Sequence, residues 1–138
     1  MEATDEQIVE FLTKPRKIAI VGASSKPERT SNEISRFLKE KGHKLIPIHP
    51  KEKEVLGDPV IPSLADLDEP VDGVILYLNE KIVGEQAKIA AEKGIPLIWL
   101  PLGVRSEEAR KAAEEKGLLY VENKCPKIEW GKLVEKAN

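Results

Sequence analysis

At 138 residues, 41% of them hydrophobic, the chain has the length and apolar content for one domain, spanning 1–138, and too little for two. Its 22 Lys+Arg against 24 Asp+Glu give a formal charge of -2, without the positive excess that binding a phosphate backbone needs, so nucleic acid is excluded as an expected partner. A single cysteine, Cys125, and the lack of any Cys/His cluster at zinc-ligand spacing exclude a disulfide scaffold and a structural metal, which points to a reducing cytoplasm.

The acidic start, Met1-Glu2-Ala3-Thr4-Asp5-Glu6, is unlike the basic and then apolar opening of a signal peptide. No apolar run nears the roughly 20 residues of a membrane span, so a soluble, unprocessed protein with no membrane partner is expected. Charged residues at 33% suit the surface ion-pair networks of a thermostable protein. Thr4 and Gln7 stand at capping-box spacing ahead of Ile8, Phe11 and Leu12, which predicts a short amphipathic helix that Pro15 stops. Lys17-Ile18-Ala19-Ile20-Val21-Gly22 follows as a nearly unbroken apolar run, the pattern of a parallel strand buried on both faces.

Ile34, Phe37 and Leu38 form the apolar stripe of the next helix, closed by Lys41 and Gly42. His43, at the entry to the second strand, is expected at the surface. In Leu45-Ile46-Pro47-Ile48 the proline argues for a strand near the sheet's periphery. From Val55 to Pro62 only a brief extended piece is predicted, and Ser63 to Leu67 supplies a helical turn. Val71 to Leu78 reads as a strand, Ile82 to Lys93 as a helix burying Val83, Ala87, Ala90 and Ala91, and Gly94 as its stop. A strand at Pro96 to Leu100, a helix marked by Ala109, Ala112 and Ala113, and a last strand at Leu118 to Val121 complete the alternation. About five mainly parallel strands alternating with helices demand helices on both faces of an open sheet, which is a Rossmann-like, doubly wound α/β fold.

Ligands of such sheets bind beyond the carboxyl ends of the strands. There the first turn, Gly22 to Asn32, offers backbone N–H groups and a helix N-terminus suited to phosphate, with Lys26 and Arg29 adding positive charge. The plainer alternative is that Gly22 makes the turn while Ser31 or Asn32 caps the helix. A side chain at Gly22 is expected to harm binding more than folding, by blocking backbone approach to the phosphate. A nicotinamide-binding turn needs Gly at three positions that here hold Gly22, Ser24 and Pro27. The second strand ends in His49-Pro50-Lys51, with no acid for a ribose 2′-OH; Lys51 suits a phosphorylated ribose, or is a solvated loop cation. His49 is placed to bond a ribose or to act as a base at neutral pH.

Together, Val21-Gly22-Ala23-Ser24-Ser25-Lys26-Pro27-Glu28-Arg29, Ile46-Pro47-Ile48-His49-Pro50, Val55-Leu56-Gly57, Trp99-Leu100-Pro101-Leu102-Gly103-Val104 and Asn123-Lys124-Cys125 resemble the small stand-alone CoA-binding proteins over nearly the whole chain. That family is similar to the N-terminal domain of the succinyl-CoA synthetase α subunit. The resemblance implies a domain that binds coenzyme A or an acyl-CoA without ligase machinery. By position it puts the CoA diphosphate on Gly22, Ala23, Ser24, Ser25, Lys26 and Arg29, next to Ser31 and Asn32. The adenosine 3′-phosphate falls near Pro50 and Lys51, with Leu78, Asn79, Ile82 and Val83 flanking the adenine or pantetheine. The chain departs from the family pattern at Tyr77-Leu78-Asn79-Glu80, which lacks an arginine, and at Pro101, which replaces a glutamine.

No nucleophile or acid partner for His49 is evident, so a binding module without catalysis, without metal and joined at most by further copies of itself, is the leading reading. A small NADP-dependent oxidoreductase, with Arg29 and Lys51 on the 2′-phosphate, is the alternative. Cys125, just past the last strand, is expected either within reach of the pantetheine thiol or as a small buried hydrophobe seating the last helix through Ile128, Trp130 and Leu133.

Overall fold

Thr4 opens the first helix as its spacing predicts: Thr4 Oγ1 accepts from the Gln7 N–H at 3.2 Å, and Gln7 Oε1 accepts from the Thr4 N–H at 2.9 Å. In the computed structural model, which describes residues 2–136 and so leaves Met1 of the acidic start outside, this helix is α1 (Asp5–Thr13). It is followed by β1 (Lys17–Val21), α2 (Thr30–Glu40) and β2 (Lys44–Ile48). A small hairpin of β3 (Glu54–Val55) and β4 (Asp58–Pro59) precedes a single 3-10 turn at Leu64–Asp66. Then come β5 (Gly73–Leu76), α3 (Glu80–Glu92), β6 (Leu97–Trp99), α4 (Glu107–Glu115), β7 (Leu119–Val121) and α5 (Pro126–Glu129), which runs on as a π-helical segment, Trp130–Glu135.

The five main strands form one parallel sheet in the order β2-β1-β5-β6-β7, the Rossmann-like α/β arrangement expected from the alternation. Outside β2, Ile61 makes a single parallel bridge to Ile48. Counting that bridge as a strand position restores the 3-2-1-4-5-6 order of dinucleotide-binding sheets, with position 3 reduced to one residue. Pro47 fits this edge: its carbonyl accepts from the Ile61 N–H at 3.0 Å, and its missing N–H falls on the side where no continuous strand needs it.

Alternation along β1 divides the interior. Ile18 and Ile20 join the apolar cluster under α1 and α2, whereas Ala19 and Val21 join the one under α3 and α4. Trp99, fully buried, satisfies its indole by donating to the Lys124 carbonyl at 2.8 Å, which ties the end of β6 to the segment after β7. Among the described residues no helix is long and apolar enough to cross a membrane.

One local expectation is overturned. His43 is 5% exposed, not a surface residue: its Nδ1 accepts from the Arg16 N–H at 3.1 Å and its Nε2 lies 2.9 Å from the Leu12 carbonyl. Because Nδ1 accepts, Nε2 carries the proton and donates to Leu12. Burial, as the main cause, pushes the imidazole pKa below its ordinary value of 6.5. The ring thereby locks the α1–β1 connection to the start of β2.

Candidate functional site

The carboxyl ends of β1, β2 and β5 open into a cleft of about 1150 Å³. That exceeds the range of about 300–1,000 Å³ typical of small-molecule sites. It sits where crossovers leave β1 and β5 on opposite faces, the switch point at which open α/β sheets bind ligands. Its walls come from the turn after β1, the turn after β2 and the segments after β5 and β6, with Cys125 at one side.

The turn after β1 is fastened to its neighbours before any ligand arrives. The Gly22 and Ala23 N–H groups both donate to the Ile48 carbonyl, at 3.0 and 3.3 Å. These two amides are therefore engaged inside the protein, on the carbonyl that ends β2. Gly22 has φ +84, and a Cβ placed on it would run into the Tyr77 carbonyl oxygen, with the Tyr77 carbonyl carbon at 3.1 Å. The glycine is needed for the close approach of the end of β1 to the end of β5.

Neither Ser31 nor Asn32 caps α2, correcting the plainer alternative. Arg29 is its N-cap, without a side-chain bond, and both residues are buried within the first turn. Asn32 Nδ2 donates to the Ser24 carbonyl at 2.8 Å, and Asn32 Oδ1 accepts from Arg36 Nε at 2.9 Å. Arg36 reaches on to the Pro27 carbonyl at 3.1 Å, so the Asn32 and Arg36 pair braces both ends of the loop. Thr30 and Ser31, at the first positions of α2, line the cleft; helical amides there have no carbonyl one turn earlier and carry the positive end of the helix dipole. Lys26 and Arg29 line it too, both exposed and in no ion pair among the described residues.

Across the cleft, His49 Nδ1 accepts from the Lys51 N–H at 3.0 Å and the Glu52 N–H at 3.2 Å, which shapes the turn after β2 and leaves Nε2 as the ring's donor. His49, Pro50 and Lys51 all line the cleft, and Lys51 is in no ion pair among the described residues. Glu52 is the residue that sequence reasoning missed. Its Oε2 accepts from the Ser25 N–H at 2.6 Å and from Ser25 Oγ at 2.9 Å, and its Oε1 lies 3.0 Å from the same hydroxyl. The Ser25 amide and then the Ser25 hydroxyl, with the Lys26 ammonium adding charge, hold the carboxyl below its ordinary 4.5. Nothing local in the sequence pairs residues 27 apart.

Of the remaining expected residues, Leu78 lines the cleft beside the half-exposed Ile82 and the exposed Leu102, giving an apolar lip. Asn79 is the N-cap of α3, its Oδ1 accepting from the Lys81 N–H at 2.8 Å. Val83, which the helix turns inward, is fully buried in the core under α3 and does not line the cleft. Ser25 does not itself line the cleft: its N–H and hydroxyl are taken by Glu52, which does. Cys125 and Tyr77 share one wall, and the buried Tyr77 hydroxyl makes no hydrogen bond among the described residues.

The CoA binding domain family matches residues 16–131. The chain is 32% identical over 122 residues to the Bacillus subtilis uncharacterized protein YneT, covering 88% of this chain and 90% of that one. It is 31% identical to the α subunit of the ADP-forming acetate–CoA ligase II of Pyrococcus furiosus, covering 85% of this chain but 26% of the subunit. Among solved structures, a hypothetical protein from Pyrococcus horikoshii OT3 superposes with a TM-score of 0.88 at 39% identity, over 96% of this chain and 93% of that one. A protein from Thermus thermophilus gives 0.87 at 28% identity, over 95% and 99%. A match that takes in both walls of the cleft and every strand of the main sheet places this chain in the CoA binding domain family.

Proposed function

We propose that the chain binds coenzyme A or an acyl-CoA in the cleft at the carboxyl ends of β1, β2 and β5. The observation that carries this reading is one large cleft lined from two loops by cations in no ion pair among the described residues, Lys26 and Arg29 after β1 and Lys51 after β2. A CoA molecule presents a diphosphate and also a phosphomonoester of about -1.5 to -2 charge, which calls for cations on more than one loop. The diphosphate lies over Ser24, Ser25, Lys26 and Arg29 and the start of α2, while the 3′-phosphate meets Lys51. His49 Nε2 is a donor for the ribose or its phosphate, and the lip of Leu78, Ile82 and Leu102 covers the apolar arm. Membership of a CoA-binding family supports the ligand, as does the similarity to part of an acetate–CoA ligase subunit.

The oxidoreductase alternative falls away on chemistry: Ser24 and Pro27 stand where a dinucleotide turn needs glycine, and the family is a CoA-binding one. A binding role in the cytoplasm, with no catalytic step, is the reading adopted.

The test is a thermal-shift comparison of CoA, acetyl-CoA and NAD, with mass spectrometry of any small molecule released from gently purified protein. At a free ligand concentration 100-fold above Kd, CoA is expected to add about 2.7 kcal/mol of stability. Stabilisation by NAD equal to that by CoA overturns the proposal.

A further inference from the structure

The contact between Glu52 and Ser25 has the chemistry of an occupied anion site. Two carboxylate oxygens face a backbone N–H and a hydroxyl at 2.6 to 3.0 Å. A phosphate oxygen at the same place would take the same donors, since N–H and O–H groups aimed at one point bind either anion. The backbone that carries the carboxylate is held as well, since the Glu52 N–H donates to His49 Nδ1 at 3.2 Å in the turn after β2. Glu52 thus bridges the two loops that carry the cleft's cations, and with Glu28 it brings negative charge to the same walls.

We propose that Glu52 is a built-in competitor for the phosphate seat: its carboxylate occupies Ser25 in the free protein and is displaced when a phosphate-bearing ligand enters. The seat is never empty, so the ligand replaces one charged hydrogen-bonded anion by another and gains less than it would at an open loop. Once displaced, the carboxylate remains near the bound phosphates and repels them, which favours release. Glu52 is therefore a specificity residue: it admits ligands whose remaining parts bind well enough to drive the exchange and refuses small free anions. This rests on the CoA reading only for the identity of the displacing ligand; the exchange itself concerns any phosphate.

Two variants and two probes test it. Glu52→Gln keeps the side chain's size and weakens its acceptor, and Glu52→Ala removes it; circular dichroism and melting first establish that each is folded. Inorganic pyrophosphate and CoA are then titrated calorimetrically into the wild type and both variants. Loss of a charged competitor is expected to tighten pyrophosphate and CoA binding by about fivefold in Glu52→Gln and by more in Glu52→Ala. Equal or weaker pyrophosphate binding in both variants, or no pyrophosphate binding by any of the three proteins, overturns the competitor. Tighter pyrophosphate binding with no CoA binding by any of the proteins leaves the competitor standing and removes the CoA reading.

Discussion

Replacing Gly22 by alanine separates the two roles a glycine at the end of β1 can have. The backbone there has φ +84, so any L side chain sits in the left-handed region at about 1–2 kcal/mol. The added methyl also points at the Tyr77 carbonyl of the neighbouring strand, with the Tyr77 Cβ at 3.2 Å, and forcing a methyl into a filled space costs about 1–3 kcal/mol more. Together the two terms are about 3 kcal/mol, or about 10 °C in melting temperature for a chain of this size. Gly103 is the control: its φ is +87, but a Cβ on it meets nothing within 4 Å, so Gly103→Ala should lose only about 1 kcal/mol. Urea unfolding of both variants, without ligand, measures the difference. Equal losses at the two positions would refute the claim that Gly22 is required by the approach of β1 to β5, and a stable Gly22→Ala protein that no longer binds CoA would restore the ligand-side role.

Lys51→Ala is expected to weaken CoA about tenfold while leaving dephospho-CoA unchanged, since only the former carries the 3′-phosphate; equal losses for both in calorimetry would place that phosphate elsewhere. His43 has a pKa below 6.5 in the folded protein, so the unfolded chain binds the proton first and stability is lost as pH falls through 6.5. The slope from this one group is at most about 1.4 kcal/mol per pH unit, and His43→Asn should flatten the unfolding free energy between neutral and mildly acidic pH; an unchanged slope assigns it to other groups. Cys125 lines the cleft, so on CoA disulfide its thiolate should attack one sulfur, form a Cys125–CoA disulfide and release one CoA thiolate. Intact mass should show a reducible adduct absent in Cys125→Ser, and a folded, CoA-binding protein that forms none leaves Cys125 as packing.

What the sequence discloses follows the range of the interactions concerned. Strand β1 is recognisable because both of its faces are buried, which leaves a run of apolar residues in one short segment. The capping box of α1 is equally local, its two partners lying three residues apart. The third position of the sheet escapes notice because a single bridge at Ile61 leaves no periodicity to read. His43 is misread for a related reason: its acceptor on Leu12 is 31 residues away, and only the parallel register of β1 on β2 brings the two together.

In the cleft the same division has a chemical consequence. Cations stand out in sequence because Lys26, Arg29 and Lys51 fall directly after strands, where ligands bind. The groups that set their effect do not, because Glu52 meets Ser25, and Ile48 meets Gly22 and Ala23, only after the sheet has formed. Counting Lys26, Arg29 and Lys51 alone describes a positive trough that would attract any phosphate. Adding Glu28 and Glu52 describes a nearly balanced one, in which long-range attraction is weak and selection falls to short-range geometry. Such a site favours a ligand with phosphates at two fixed points and an apolar arm between the walls, since only the sum of several contacts can compensate for displacing a carboxylate already in place.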